Sequence, residues 1–260
     1  MGITSIALQY LTVAALRGAT LAGDAVQPGA IDALDVDVAR LAKPLIAVFI
    51  GEDDRKVQGK ELIGGEHRVE LLIQAFLPAE IDVAVNGQAL RINTREGAAD
   101  LVMGMLRRQI DRALSASDSD AANLWRILVA EVETTSAIPF LFQIAEQVRI
   151  AANESSYLCR LTVNEPAFGE PLTSNFWQAV IAVFAADPDY EPVATWVAAE
   201  ISAPDGMATW RVQQADLGLT QEGREGIGLG PLELPTSPAA EAPAIDGATV
   251  DTGDEAWSLP

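Results

Sequence analysis

Residues 44–51, Pro-Leu-Ile-Ala-Val-Phe-Ile-Gly, form a run of β-branched and aromatic side chains closed by proline and glycine. Such a run has no polar face, so it predicts a strand that other elements must cover on both sides. Residues 67–77 predict a second strand. Val69, Leu71, Ile73, Ala75 and Leu77 alternate on one face, while Arg68, Glu70, Leu72, Gln74 and Phe76 make the other only partly polar. The segment between them, 52–66, carries Arg55, Lys56, Lys60, Glu61 and three glycines. Two strands joined by so long a polar segment predict an antiparallel hairpin with a protruding tip, and long ordered loops generally have a task.

Helical periodicity surrounds this pair. Ile3, Ile6, Ala7, Tyr10, Leu11 and Ala14 recur at three-and-four spacing, which predicts an N-terminal helix with one buried stripe, stopped by Gly18 and Gly23. Residues 24–43, with Pro28 and Gly29, read as an irregular connection. Asn86-Gly87 between 81–85 and 89–92 fits a small type I′ hairpin or a loop. In 100–114, Val102, Met105, Leu106, Ile110, Ala113 and Leu114 share a stripe; Arg107 and Asp111 stand four apart on the solvent side, as do Arg108 and Arg112. Ser117-Asp-Ser-Asp120 predicts an N-cap for a helix over 121–134 with Leu124, Leu128 and Val132 facing inward.

Residues 137–150 fit either helix or strand, and 157–163 predicts a strand from its β-propensity. A turn at Asn153-Glu-Ser-Ser156 would join Val148-Arg-Ile150 to that strand and place Cys159 in or beside the core. Residues 175–185 and 193–201 show two helical patterns, and 207–212 one more strand. From 221 to 260 there are eight acids, one arginine and five prolines, which predicts an acidic extended tail that orders only against a partner, with Trp257 as its anchor. The expected architecture is therefore α+β: a mostly antiparallel sheet with helices on one face and a protruding hairpin loop. The expected units are a domain over 1–165, an additional helical and strand region over 166–220, and the tail over 221–260.

Charge narrows the partners. The chain has a formal net charge of −20, with 21 acids against 15 bases up to Arg160 and 16 acids against two bases beyond it. A surface of that sign repels DNA phosphates and anionic lipid, so it disfavours broad adhesion to either and leaves room for local basic patches. Residues 1–20 have no base before Arg17, and Thr4, Ser5, Gln9, Tyr10 and Thr12 interrupt their apolar residues, unlike a signal peptide or a membrane span. Gly2 followed by Ser5 misses the myristoylation spacing. Cys159 is the sole cysteine, so the fold rests on packing without an internal disulfide, and the expectation is a soluble protein made in a reducing compartment.

No side-chain pattern predicts catalysis, a cofactor or a metal. His67, the only histidine, has Glu66 and Glu70 nearby in sequence but no triad spacing, and reads as an exposed strand-end histidine. Cys159 lacks the glycine turn or helix start that lowers a thiol pKa. Glu52-Asp53-Asp54 and the pair Asp187 and Asp189 lack calcium-loop spacing and read as solvated acids. Gly226-Ile-Gly-Leu-Gly230 is followed by Pro231 and Pro235 where a nucleotide loop needs a helix, so it reads as linker. The remaining candidates are contact residues: Arg55, Lys56, Lys60 and Glu61 at the hairpin, Arg107, Arg108 and Arg112 on the helix, and Trp257 in the tail.

An N-terminal helix, the strand at 44–51, a long polar hairpin tip, the strand Arg68-Val-Glu-Leu-Leu-Ile-Gln-Ala75, a helix over 98–114 and a late strand near 157–163 follow an element order that resembles the tail terminator proteins of long-tailed bacteriophages. The resemblance covers about residues 1–165. It implies a homohexameric ring that stops polymerisation of the tail tube protein, docks to the head-tail connector or another neck protein, and lets DNA pass without specific binding. It further implies a location in the virion tail or neck after assembly in the host cytoplasm, with no membrane association. Another neck or tail component, such as a connector adaptor or tube protein, has the same general character. An enzyme with an unrecognised site and a monomeric ligand-binding module are the alternatives of a different kind.

Overall fold

The computed structural model describes residues 2–29, 43–57, 65–85, 88–145, 148–163, 166, 174–201, 214, 218–220, 222–223, 249–251 and 256–258. The two predicted strands are its centre: β2 (Leu45–Lys56) and β3 (Glu66–Phe76) pair antiparallel from Leu45↔Phe76 to Lys56↔Glu66. β1 (Val26–Pro28), inside the stretch expected to be irregular, adds parallel to β2, and β7 (Val148–Leu161) and β6 (Val129–Ala145) extend the sheet on the far side in the order β1-β2-β3-β7-β6. The chain is thus a mixed α+β fold with a mostly antiparallel sheet. β4 (Glu80–Val85) and β5 (Gln88–Asn93) form the small separate hairpin, its Asn-Gly turn lying outside the described residues.

Helices α1 (Ile3–Leu16), α2 (Ala99–Ala116, entered through a π-helical turn at Thr94–Ala98), α3 (Asp120–Leu128), α4 (Asn175–Ala185) and α5 (Glu191–Ile201) complete the fold. α1, α2 and α3 pack against the sheet face from which Val69, Leu71, Ile73 and Ala75 point inward. α2 buries Val102, Leu106, Ile110, Ala113 and Leu114 as its periodicity predicts, except that Met105 lies outside, 45% exposed. α4 and α5 add Trp177, Val180, Phe184 and Ala194 to the same core, and Tyr190 in the link between them stacks edge-on against Tyr10 with ring centres 4.6 Å apart. Arg17, at the end of α1, pairs with Asp187 and donates to the Tyr190 hydroxyl at 2.9 Å, so Asp187 is an ion-pair partner rather than a solvated acid.

Besides β1, three elements depart from the sequence expectation. α1 does not bury one stripe: Ile3, Ile6, Tyr10 and Ala14 are only partly covered, whereas Leu8, Leu11, Leu16, Thr4, Ser5 and Thr12 are fully buried. Sheet, α3 and α4 surround it, so polar residues on its rear face are buried and must find hydrogen bonds inside the protein. The helix expected over 121–134 stops at Leu128, capped at its start by Ser119, which accepts from the Ala122 amide; residues 129–134 leave as strand β6. The turn expected at Asn153–Ser156 is mid-strand instead. There Gln74 donates to Glu154 at 2.8 Å and Ser156 donates to Glu70 at 2.6 Å, so partners on β3 satisfy side chains that otherwise favour a turn.

The hairpins leave the sheet at opposite ends. β6 and β7 go on pairing to Ala145↔Val148, past the last β3 pair at Phe76↔Ala152. At the other end strand pairing runs through Lys56↔Glu66, which shortens the expected loop of 52–66 to the connection 57–65, of which 58–64 lie outside the described residues. β6 is an edge strand; its three register shifts and Pro139 interrupt the regular row of hydrogen-bonding groups that another strand would need. The expected strand at 207–212 and the linker at 226–230 lie outside the described residues, as does most of 221–260, from which β8 (Thr249–Asp251) and β9 (Ala256–Ser258) pair antiparallel.

Candidate functional site

Among the described residues, the structure gathers one set of chemically active side chains, at the base of the β2–β3 hairpin. Strand alternation would send Asp53 to the sheet face away from α1, α2 and α3. Between Ile50↔Leu71 and Asp53↔Val69, however, β2 holds one more residue than β3, and this bulge reverses the alternation so that Asp53 and Arg55 turn to the helix side. Gly51 sits in the bulge, where a Cβ would fall 2.6 Å from Glu70 Oε2 and 2.9 Å from Leu72 Cδ1. Close approach of the neighbouring strand's side chains therefore favours glycine at this point.

Asp53 meets His67, whose Nε2 lies 2.7 Å from Oδ1, and Ser5 from the first turn of α1, whose hydroxyl donates to Oδ2 at 2.7 Å. An ionised carboxylate only accepts, so the proton sits on Nε2. In the neutral tautomer Nδ1 is then the acceptor, and it faces the Thr4 hydroxyl at 3.4 Å and Arg55 Nη2 at 3.3 Å. The His67 side chain is 7% exposed, which overturns its assignment as an exposed strand-end residue; Asp53 at 16% is likewise no solvated acid. Burial pushes the Asp53 pKa up, but the Ser5 and His67 hydrogen bonds and the positive charge of a protonated His67 outweigh it and hold the carboxyl below its ordinary value.

Chemically this cluster is a tie. Both imidazole nitrogens are engaged by protein side chains. The arrangement anchors the start of α1 to the hairpin. Further along the same helix Gln9 Nε2 donates to the Val48 carbonyl at 2.8 Å, and the Trp125 indole donates to Thr12 at 3.1 Å. The polar residues that interrupt the apolar run of α1 are its buried attachments. Sequence spacing did not reveal the Asp53–His67 pair because fourteen residues and a bulge separate its members; the one available signal was a lone histidine following a segment rich in acids.

Cys159 is fully buried, and burial pushes its thiol up to about 12, the state of an unreactive core residue. Tyr157 beside it donates to Asp111 at 2.8 Å; burial and then that carboxylate push the phenol well above its ordinary value. Asp111, exposed on the solvent side of α2 as its spacing predicts, also accepts from this buried tyrosine, while Arg107 is half-buried.

The proposed contact residues are scattered. Arg55 is half-buried against His67, Lys56 is exposed at the end of β2, and Lys60 and Glu61 lie outside the described residues. Arg107 is half-buried in a cleft of about 580 Å³ between α2 and the β6–β7 hairpin, with Met103, Gly104, Pro139 and Phe140 among its walls. Arg108 and Arg112 are exposed on the outer side of α2, and Trp257 is in β9 opposite Val250. On the sheet face away from α1, α2 and α3, Arg68 and Arg160 stand directly opposite each other; Glu66, Glu131 and Glu133 neutralise them at 2.6 to 3.9 Å. Exposed pairs of this type contribute little stability, about 0–1 kcal/mol each. Among the described residues no group of three or more His, Cys, Asp or Glu is placed to hold a metal ion, and no helix is long and apolar enough to cross a membrane.

No protein-family model matches the chain, and comparison with curated proteins gives no match.

Proposed function

We propose that the protein is a structural subunit of a virion that forms a ring, caps the phage tail tube and joins it to the head connector. The observation that carries this reading is the pair of hairpins leaving opposite ends of one sheet, β2–β3 at one end and β6–β7 at the other. Arms at opposite ends give each copy two different contact elements, which is what a head-to-tail interface closing into a ring requires. The order α1, β2, β3, α2, β7 within one core supports the likeness to tail terminators, and the formal charge of −20 suits a lumen that DNA crosses without adhering.

Mass measurement of the purified protein and class averages from electron micrographs test the proposal. A sixfold ring is the expected result. A twelvefold ring would assign a connector adaptor instead, open stacks a tube protein, and a monomer at all concentrations would overturn self-assembly altogether.

A further inference from the structure

Two helical faces among the described residues are left bare and carry complementary groups. The outer face of α2 presents Leu101, Met105, Arg108 and Arg112, spaced i, i+4, i+7 and i+11 and so aligned in one row. Leu101 is 65% exposed and Met105 45%, and among the described residues neither arginine has an ion-pair partner. The outer face of α5 presents Pro192, Trp196 and Glu200, spaced i, i+4 and i+8. Trp196 is 58% exposed, and Glu200, exposed beside it, has no ion-pair partner among the described residues. So bare a tryptophan leaves a large apolar area in water, and tryptophan is among the side chains most enriched at the energetic centres of protein interfaces.

From N- to C-terminus both rows run from apolar to charged, and their charges are opposite. With the helices laid parallel and Trp196 set against Met105, Pro192 falls level with Leu101. The helical rise then carries Glu200 about 6 Å farther along, between Arg108 at about 4.5 Å and Arg112 at about 10.5 Å. The two faces do not meet within one chain: α2 packs on α1 and α3, α5 packs on α4, and both rows stay exposed in the folded molecule. Either face paired with its own copy would bring together no opposite charges. Residues 175–201 hold Asp187, Asp189, Glu191 and Glu200 and no Lys or Arg, so nothing on that helix pair repels the arginines of α2.

We infer that α5 of one copy packs lengthwise on α2 of the next, with Trp196 covering Leu101 and Met105 and Glu200 held by Arg108 and Arg112. The contact is head-to-tail, so every copy uses both faces. It rests on the self-assembly proposed above, for which it names the surfaces.

The test is sedimentation of the full chain over a range of concentrations, native and substituted. Trp196→Asp and Met105→Asp are each expected to weaken association by about thirtyfold or more. Mixed in equal amounts, those two variants are expected to form a heterodimer and nothing larger, because only one intact α5 face and one intact α2 face remain. Arg108→Glu together with Arg112→Glu is expected to block assembly, and adding Glu200→Arg to that pair to restore it. All these positions are exposed, so melting temperatures should match that of the native chain; where one does not, the charge-swap rescue decides, and its failure overturns the pairing. Native oligomers unchanged by Trp196→Asp and by the arginine reversals overturn this contact and leave the ring standing. Open chains sensitive to the same substitutions keep the contact and overturn the closed ring. A native chain that stays monomeric at every concentration overturns both.

Discussion

Asp53 and His67 show how a half-buried charge is tolerated: Ser5 of α1 and His67 of β3 both hydrogen-bond to the carboxylate. Because the folded pKa of Asp53 lies below its unfolded value of 3.8, its ionised form is stabilised by folding. That contribution is complete above the unfolded value and is lost as pH falls through the folded one. Urea midpoints measured from pH 7 to pH 2 are therefore expected to show native protein losing its advantage over Asp53→Asn as pH drops below about 4. Parallel curves would contradict the assignment. His67→Ala leaves Asp53 and Thr4 without their ring partner, and a loss of about 1–3 kcal/mol is expected by the same measurement at pH 7.

At the scale of elements, the register of each hairpin determines what can be changed. Pairing of β2 with β3 runs through Lys56↔Glu66, and Gly65 already has φ of 108°, a conformation suited to a tight turn. Deleting 58–64 leaves Val57-Gly65 as a two-residue connection, with Asp53, His67 and the bulge intact. The subunit is expected to keep its thermal midpoint while the mass of the proposed ring is lost, measured by scanning fluorimetry and mass photometry. A deletion variant that still assembles would remove this tip from the interface. Much of this level was legible in advance: alternation in 67–77 places Val69, Leu71, Ile73 and Ala75 correctly, and the Ser119 cap starts α3 where expected. The end of α3 was not legible, because Val129–Thr134 also fits a helical stripe; pairing with β7 makes it strand.

The described residues from α1 to α5 share one core. Trp177, Val180 and Phe184 of α4 are buried in it, and burying side chains of that size contributes roughly 1.5–3 kcal/mol each. Removing residues 166–260 is thus expected to lower the melting temperature severely or prevent soluble expression, whereas removing 231–260 should shift it by no more than about 4 °C, the equivalent of about 1 kcal/mol in a chain of this length. A large drop from the shorter truncation would show the tail to be integrated in the core. The additional region over 166–220 is, through α4 and α5, part of the packing that encloses α1.

Local chemistry by itself determined the strands at 44–51, 67–77 and 157–163, the helices near 100–114, 175–185 and 193–201, the capped start of α3 and the burial of Cys159, since period, cap and propensity act over a few residues. The tertiary structure alone decided which side of α1 is polar inside the protein, where β2 bulges to turn Asp53 inward, and that 148–161 is one uninterrupted strand. Those outcomes depend on partners tens of residues away, Val69, Glu70 and Gln74 among them, whose positions exist only once the sheet has formed.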